Sequence, residues 1–218
     1  MAKIVNQSIT CACCGNKVTI ERLLSFSHGD MGLSGNVHTH MQYKMEECPE
    51  CHYTALDIAD DSVMVTRGML NAFRMKPGME KITDPAFCSI LKAADIYART
   101  NRYRLYEYTL RLAAFYAEEQ EEFILYKELL KQANDALQHY FEEREELRVS
   151  DIMMSTKLVD GNRRLGMLVT AKSISDEVYA LIKDESDEEL KYVRRLLEFE
   201  NKLIENRDTA EHFVSEVI

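Results

Sequence analysis

The chain has 218 residues, of which 46% are apolar and 29% charged, with three prolines and eight glycines. This composition excludes a collagenous or largely disordered chain and allows a sizeable core. A formal charge of -10 disfavours binding that depends on neutralising many phosphates.

The N-terminal stretch MAKIVNQSIT has no apolar run long enough for a signal peptide, and no later stretch has the length of a membrane span. We therefore expect a cytoplasmic protein. In that reducing compartment, paired cysteines serve as metal ligands or redox groups more often than as disulfides.

Two such pairs follow. Cys11-Ala-Cys-Cys14-Gly-Asn and Cys48-Pro-Glu-Cys51-His-Tyr each place two residues between cysteines. That spacing folds into a knuckle presenting two sulfurs to one metal at about 2.3 Å, and two knuckles complete a tetrahedron. Cys11, Cys14, Cys48 and Cys51 are thus the expected ligands of one structural Zn²⁺. Gly15 suits the turn away from the first pair. Lys17–Ile20 and His40–Met45 read as strands leaving one knuckle and entering the next, with a turn-rich loop over residues 28–35 between them.

Cys13 lies inside the first knuckle, and His28, His38, His40 and His52 lie near enough in sequence to act as substitute ligands. The alternative is that these histidines are loop residues, because four sulfurs already close a tetrahedron. A catalytic zinc keeps an open position, for which the sequence gives no sign. Residues 1–60 carry four Lys/Arg against seven Asp/Glu, so this zinc-ribbon-like module offers no basic face of its own.

From about residue 61 the apolar period becomes helical. Helices are expected over Ser62–Phe73, from Asp84-Pro85, over Tyr103–Glu118, Glu121–Arg148, Asp151–Leu165, Leu168–Lys183 and Asp187–Asn206, with short connections that make neighbours antiparallel. Their apolar stripes include Phe87, Ile90, Leu91, Ala94 and Tyr97, then Leu110, Ala113, Ala114 and Ala117, then Phe123, Tyr126, Leu130, Ala133, Leu137 and Phe141. Cys88 reads as a small buried apolar residue. The fold class is mainly α: a zinc-ribbon-like module over 1–60, then an antiparallel helical array over 61–218 that resembles tetratricopeptide repeats without meeting their full consensus.

The arrangement resembles a bacterial family of unknown function whose members open with a C-x2-C pair, carry a segment close to C-P-x-C-G-Y, and continue as tetratricopeptide-like helices. The matching residues are Cys11, Cys14, Cys48-Pro49-Glu50-Cys51-His52-Tyr53, Leu110–Tyr116 and Gly161–Gly166. His52 stands where those proteins commonly have glycine. The resemblance implies a zinc and a fold, and no activity.

No phosphate loop, nucleophile elbow or H-E-x-x-H motif is present, and the runs Glu118–Glu122 and Glu142–Glu146 read as solvated helix faces. An enzyme is therefore not expected. The candidate partner surface is Arg99, Arg102, Tyr103 and Tyr106, with a second patch at Arg163 and Arg164. Arginines there would take acidic groups and tyrosines would supply contact area; alternatively, the tyrosines pack between helices and the arginines balance local acid. The leading reading is a zinc-binding scaffold for a protein or peptide. A nucleic-acid-binding ribbon and a thiol-based redox sensor are the alternatives.

Overall fold

The computed structural model describes residues 3–25, 31–33, 44–75, 79, 82–144 and 146–217. Two short hairpins come first: β1 (Lys3–Thr10) with β2 (Lys17–Ser25), and β3 (Glu46–Glu47) with β4 (Thr54–Ala55), both antiparallel. Seven α-helices follow among the described residues: α1 (Arg67–Ala72), α2 (Pro85–Arg99), α3 (Tyr103–Glu119), α4 (Phe123–Glu142), α5 (Val149–Arg164), α6 (Leu168–Ile182) and α7 (Glu188–Glu205). A 3-10 turn, Val214–Glu216, lies near the C-terminus. The protein is thus mainly helical, with a small N-terminal β module.

The chain divides into two compact units, residues 1–28 with 38–133 and residues 29–37 with 134–218. In the first, α2 packs on α3 and on β4. Phe87, Ile90, Leu91, Ala94 and Tyr97 are all buried, as their spacing on α2 requires. The Tyr97 hydroxyl accepts the Leu56 N–H at 2.9 Å, fastening the β module to the helix. Burial pushes that phenol up to about 12, so it stays neutral. Leu110, Ala113, Ala114 and Ala117 supply the facing side of α3, where alanines let two backbones approach closely.

In the second unit α5, α6 and α7 pack around Val159, Ala171, Val178, Ile182, Leu190, Val193, Leu197 and Ile204. Each large aliphatic side chain buried this way stabilises the unit by roughly 1.5–3 kcal/mol. On α5, Gly161 faces Asn134 of α4: a Cβ built there would lie 2.4 Å from Asn134 Oδ1. Any larger residue there must displace the Asn134 amide.

Helix starts follow their caps. The Asp84 carboxylate accepts the Ala86 N–H at 2.7 Å with Pro85 as first helical residue, and the Asp187 carboxylate accepts the Glu189 N–H at 2.8 Å. Four helices end alike. Asn101, Glu121, Gly166 and Arg207 have φ between 53° and 77°, and the N–H of the next residue reaches back to Tyr97, Ala117, Asn162 and Leu203 respectively at 2.8–2.9 Å. These are Schellman endings, which satisfy terminal carbonyls and turn the chain sharply.

Several expected details differ. α1 begins at Arg67 because Thr66, not Ser62, caps it. α4 ends at Glu142, six residues before the expected Arg148, and its Phe123 is 57% exposed, since it sits in the first turn before the apolar stripe engages. Cys88 is half-buried. The strand expected at His40–Met45 lies largely outside the described residues, and Lys44 and Met45 precede β3 as bends.

Candidate metal centre

Each hairpin ends in a knuckle, and the two knuckles are built alike. Cys11 follows β1 directly and Asn16 precedes β2; Cys48 follows β3 and Tyr53 precedes β4. The first cysteine's N–H closes the loop onto the carbonyl five residues on, Cys11 to Asn16 at 3.0 Å and Cys48 to Tyr53 at 2.9 Å. The fifth loop residue then donates back to that cysteine's carbonyl, Gly15 to Cys11 and His52 to Cys48, both at 2.9 Å. The bend requires a left-handed backbone, and φ is 74° at Gly15 and 59° at His52. His52 therefore adopts the conformation that glycine would take at less cost. Its ring points outward to Glu47, with Nδ1 2.9 Å from Oε1.

The loops converge so that the sulfurs of Cys11, Cys14, Cys48 and Cys51 lie within 4.8 Å of one another. Cys11 and Cys51 are 3.8 Å apart and Cys14 and Cys48 3.9 Å apart, so none of these contacts is a disulfide. A tetrahedron with metal–sulfur bonds of ~2.3 Å has edges of ~3.8 Å. These two separations match that figure. Four soft sulfur donors in this shape suit zinc or another thiophilic ion.

Burial supports the site. Cys11 and Cys48 are fully buried and Cys14 and Cys51 half-buried. Burial pushes the Cys11 and Cys51 thiols up, whereas the backbone N–H of Asn16 pulls Cys14 down. A bound divalent cation favours the thiolate form and offsets the rise at Cys11 and Cys51.

Arg22 and Glu46 hold the two hairpins in register. The Arg22 guanidinium donates Nε and Nη2 to the Glu46 carboxylate at 2.5 and 2.9 Å, and Nη2 reaches Asp57 at 2.6 Å. Glu46 Oε2 also accepts the Ile58 N–H at 3.1 Å, and the Ile58 carbonyl accepts the Ala12 N–H inside the first knuckle at 2.8 Å. Sequence reasoning missed this clasp. Its residues come from different strands, and no local motif joins an arginine on β2 to a glutamate on β3.

Of the other candidates, Cys13 is half-buried and outside the four-sulfur group. Burial pushes its thiol up, opposite to what a reactive cysteine needs. His28, His38 and His40 lie outside the described residues.

The arginines and tyrosines separate. Arg99 is exposed and paired with Asp95 at 2.8 Å; Arg102 donates to the Ser62 carbonyl; the two line a hollow of about 320 Å³ with Met64 and Met69. Tyr106 is half-buried in the wall of another cavity of about 220 Å³, beside Leu91, Ala94 and Leu110, and Tyr103 is half-buried at the start of α3. Arg163 and Arg164 are 0% and 4% exposed and do not reach a surface. Arg163 is held by Asp160 and Glu200, and Arg164 lies 3.7 Å from Glu211.

Compared with known proteins, the chain matches no family model, no curated protein and no solved structure. What defines its class is therefore internal: a mainly helical protein with a four-cysteine group able to hold a metal ion. Among the described residues no helix is long and apolar enough to cross a membrane.

Proposed function

We propose that Cys11, Cys14, Cys48 and Cys51 hold one structural zinc ion, and that the protein is a non-enzymatic cytoplasmic scaffold binding a protein or peptide through its helices. The observation that carries the metal reading is the pair of sulfur separations, 3.8 and 3.9 Å, against the tetrahedral edge of ~3.8 Å. Four thiolates complete the coordination and leave no vacancy for substrate or water, so the role is structural. Metal binding at such a site is folding energy, on the order of 10 kcal/mol.

The resemblance to zinc-bearing bacterial proteins with C-P-x-C segments agrees with this reading through the cysteines alone. For the partner, Arg99 and Arg102 around their hollow are the exposed candidates, with Tyr103 and Tyr106 as neighbouring aromatic area. A guanidinium pair beside Met64 and Met69 suits a peptide carrying both acidic and apolar side chains.

Two measurements test the reading. The purified protein should contain one zinc per chain, and alanine at Cys48 or Cys51 should abolish it while most helicity remains. Affinity capture with wild-type protein and with Arg99→Glu/Arg102→Glu should recover the same partner strongly and weakly, respectively. Equal recovery would remove these arginines from the interface.

A further inference from the structure

α7 is apolar on two sides. Leu190, Val193, Leu197 and Ile204 belong to the core shared with α5 and α6. Tyr192, Leu196, Phe199 and Leu203 form a second stripe at helical spacing, covered by Leu33 and by Val214 and Val217 of the C-terminal segment. Main-chain bonds stitch this cover: Leu33 N–H to the His212 carbonyl at 3.0 Å, and Val214 N–H to the Met31 carbonyl at 2.8 Å. No residue from 211 to 217 is fully buried, so the cover is lightly seated.

At its root lies Arg163. Nη1 donates to the carbonyls of Asp208 and Ala210 at 2.9 and 2.8 Å, Nε to Glu200 at 2.7 Å, and Nη2 to Asp160 at 2.6 Å. One buried cation thus faces two carboxyls, each about 1% exposed. Asp160 Oδ2 and Glu200 Oε1 are buried without a hydrogen-bond partner. Arg163 serves one oxygen of each carboxyl, and the two remaining oxygens, both acceptors when ionised, cannot satisfy each other. A single proton resolves this by making one oxygen a donor.

We propose that residues 208–217 form a proton-latched cover: a proton carried by Glu200 holds the segment in place, and its loss lifts the segment from the α7 stripe. When the proton passes to solvent, the carboxylate must hydrate. The wall most easily opened is the one whose side chains are least buried. Lifting it exposes Tyr192, Leu196, Phe199 and Leu203 as a contiguous apolar strip.

Among the described residues, none of the neighbouring groups hydrogen-bonds Asp160 Oδ2 or Glu200 Oε1. On α5, Arg164 lies 3.7 Å from Glu211. His212 sits between Asp208 at 3.1 Å and Glu216 at 2.9 Å, within the segment itself. On α6, Lys172 pairs with Asp176, Ser173 with Glu177, and Tyr179 with Glu198. Burial and then Asp160 push the Glu200 carboxyl up to about 8, against the pull of Arg163. Seating the cover therefore takes up a proton, and the latch weakens as pH rises through that value.

Hydrogen exchange on the full-length protein tests this, with rates corrected for intrinsic pH dependence. Between pH 7 and pH 9, protection at Leu33 and Val214 should fall about tenfold, as one proton is lost. Glu200→Gln, which imitates the protonated acid, should keep protection constant over that range; Asp160→Asn, which frees Arg163 to hold Glu200 ionised, should do the same if the glutamine variant fails to fold. Unchanged wild-type protection, or an equal fall in a folded variant, would overturn the proposal.

Discussion

The second knuckle is made with histidine where a left-handed backbone favours glycine. Holding a non-glycine residue there costs about 1–2 kcal/mol. The contact of His52 with Glu47 returns little of this, because the imidazole is 72% exposed and such pairs contribute below ~1 kcal/mol. His52→Gly should therefore tighten metal binding by up to about fivefold, the equivalent of ~1 kcal/mol. Competition with a chelator of known affinity reads the change. Weaker binding would mean that the His52 ring contributes more than its geometry indicates. The same scale shows why Arg163 misleads in sequence: an arginine beside another on a helix reads as a surface patch, and only the distant Glu200 and the carbonyls of residues 208 and 210 explain its burial.

At the scale of elements, Gly161→Ala sets helix propensity against packing. Alanine favours a helix interior by about 1 kcal/mol. Its Cβ would stand 2.4 Å from Oδ1 and 2.8 Å from Nδ2 of Asn134, a side chain only 4% exposed and so confined. Overpacking costs about 1–3 kcal/mol. The steric term outweighs the propensity gain, and urea unfolding should show a net loss of up to about 2 kcal/mol.

Elements were legible where chemistry is local. Asp84-Pro85 marks the start of α2, and the spacing of Phe87, Ile90, Leu91, Ala94 and Tyr97 marks its buried face. The two cysteine pairs announce their knuckles for the same reason. Strand β1 was not legible, since seven of its eight residues are not buried and no alternating apolar face distinguishes it. Three of the four like helix endings were also hidden. Of these four, glycine occupies the left-handed position only at Gly166, while Asn101 and Glu121, between consecutive helices, and Arg207, after α7, take it without glycine.

For the whole molecule, metal removal should separate two kinds of order. Few large apolar side chains are buried in the hairpins, so the proposed zinc supplies much of their folding energy. The helices rest on apolar clusters of their own, such as that around Val159, Val193 and Leu197. A strong chelator should then abolish amide protection in β1 to β4 while far-ultraviolet circular dichroism retains most of its helical signal. Loss of both together would show that the helical cores do not stand without the metal.

The central claim, one zinc held by four sulfurs, is tested most directly by cobalt substitution. Co²⁺ loaded into the metal-free protein should bind once per chain and give the intense visible bands of a tetrahedral four-thiolate site, and one equivalent of zinc should bleach them. Weak bands of a six-coordinate ion, or unchanged tetrahedral bands in Cys48→Ala, would contradict it.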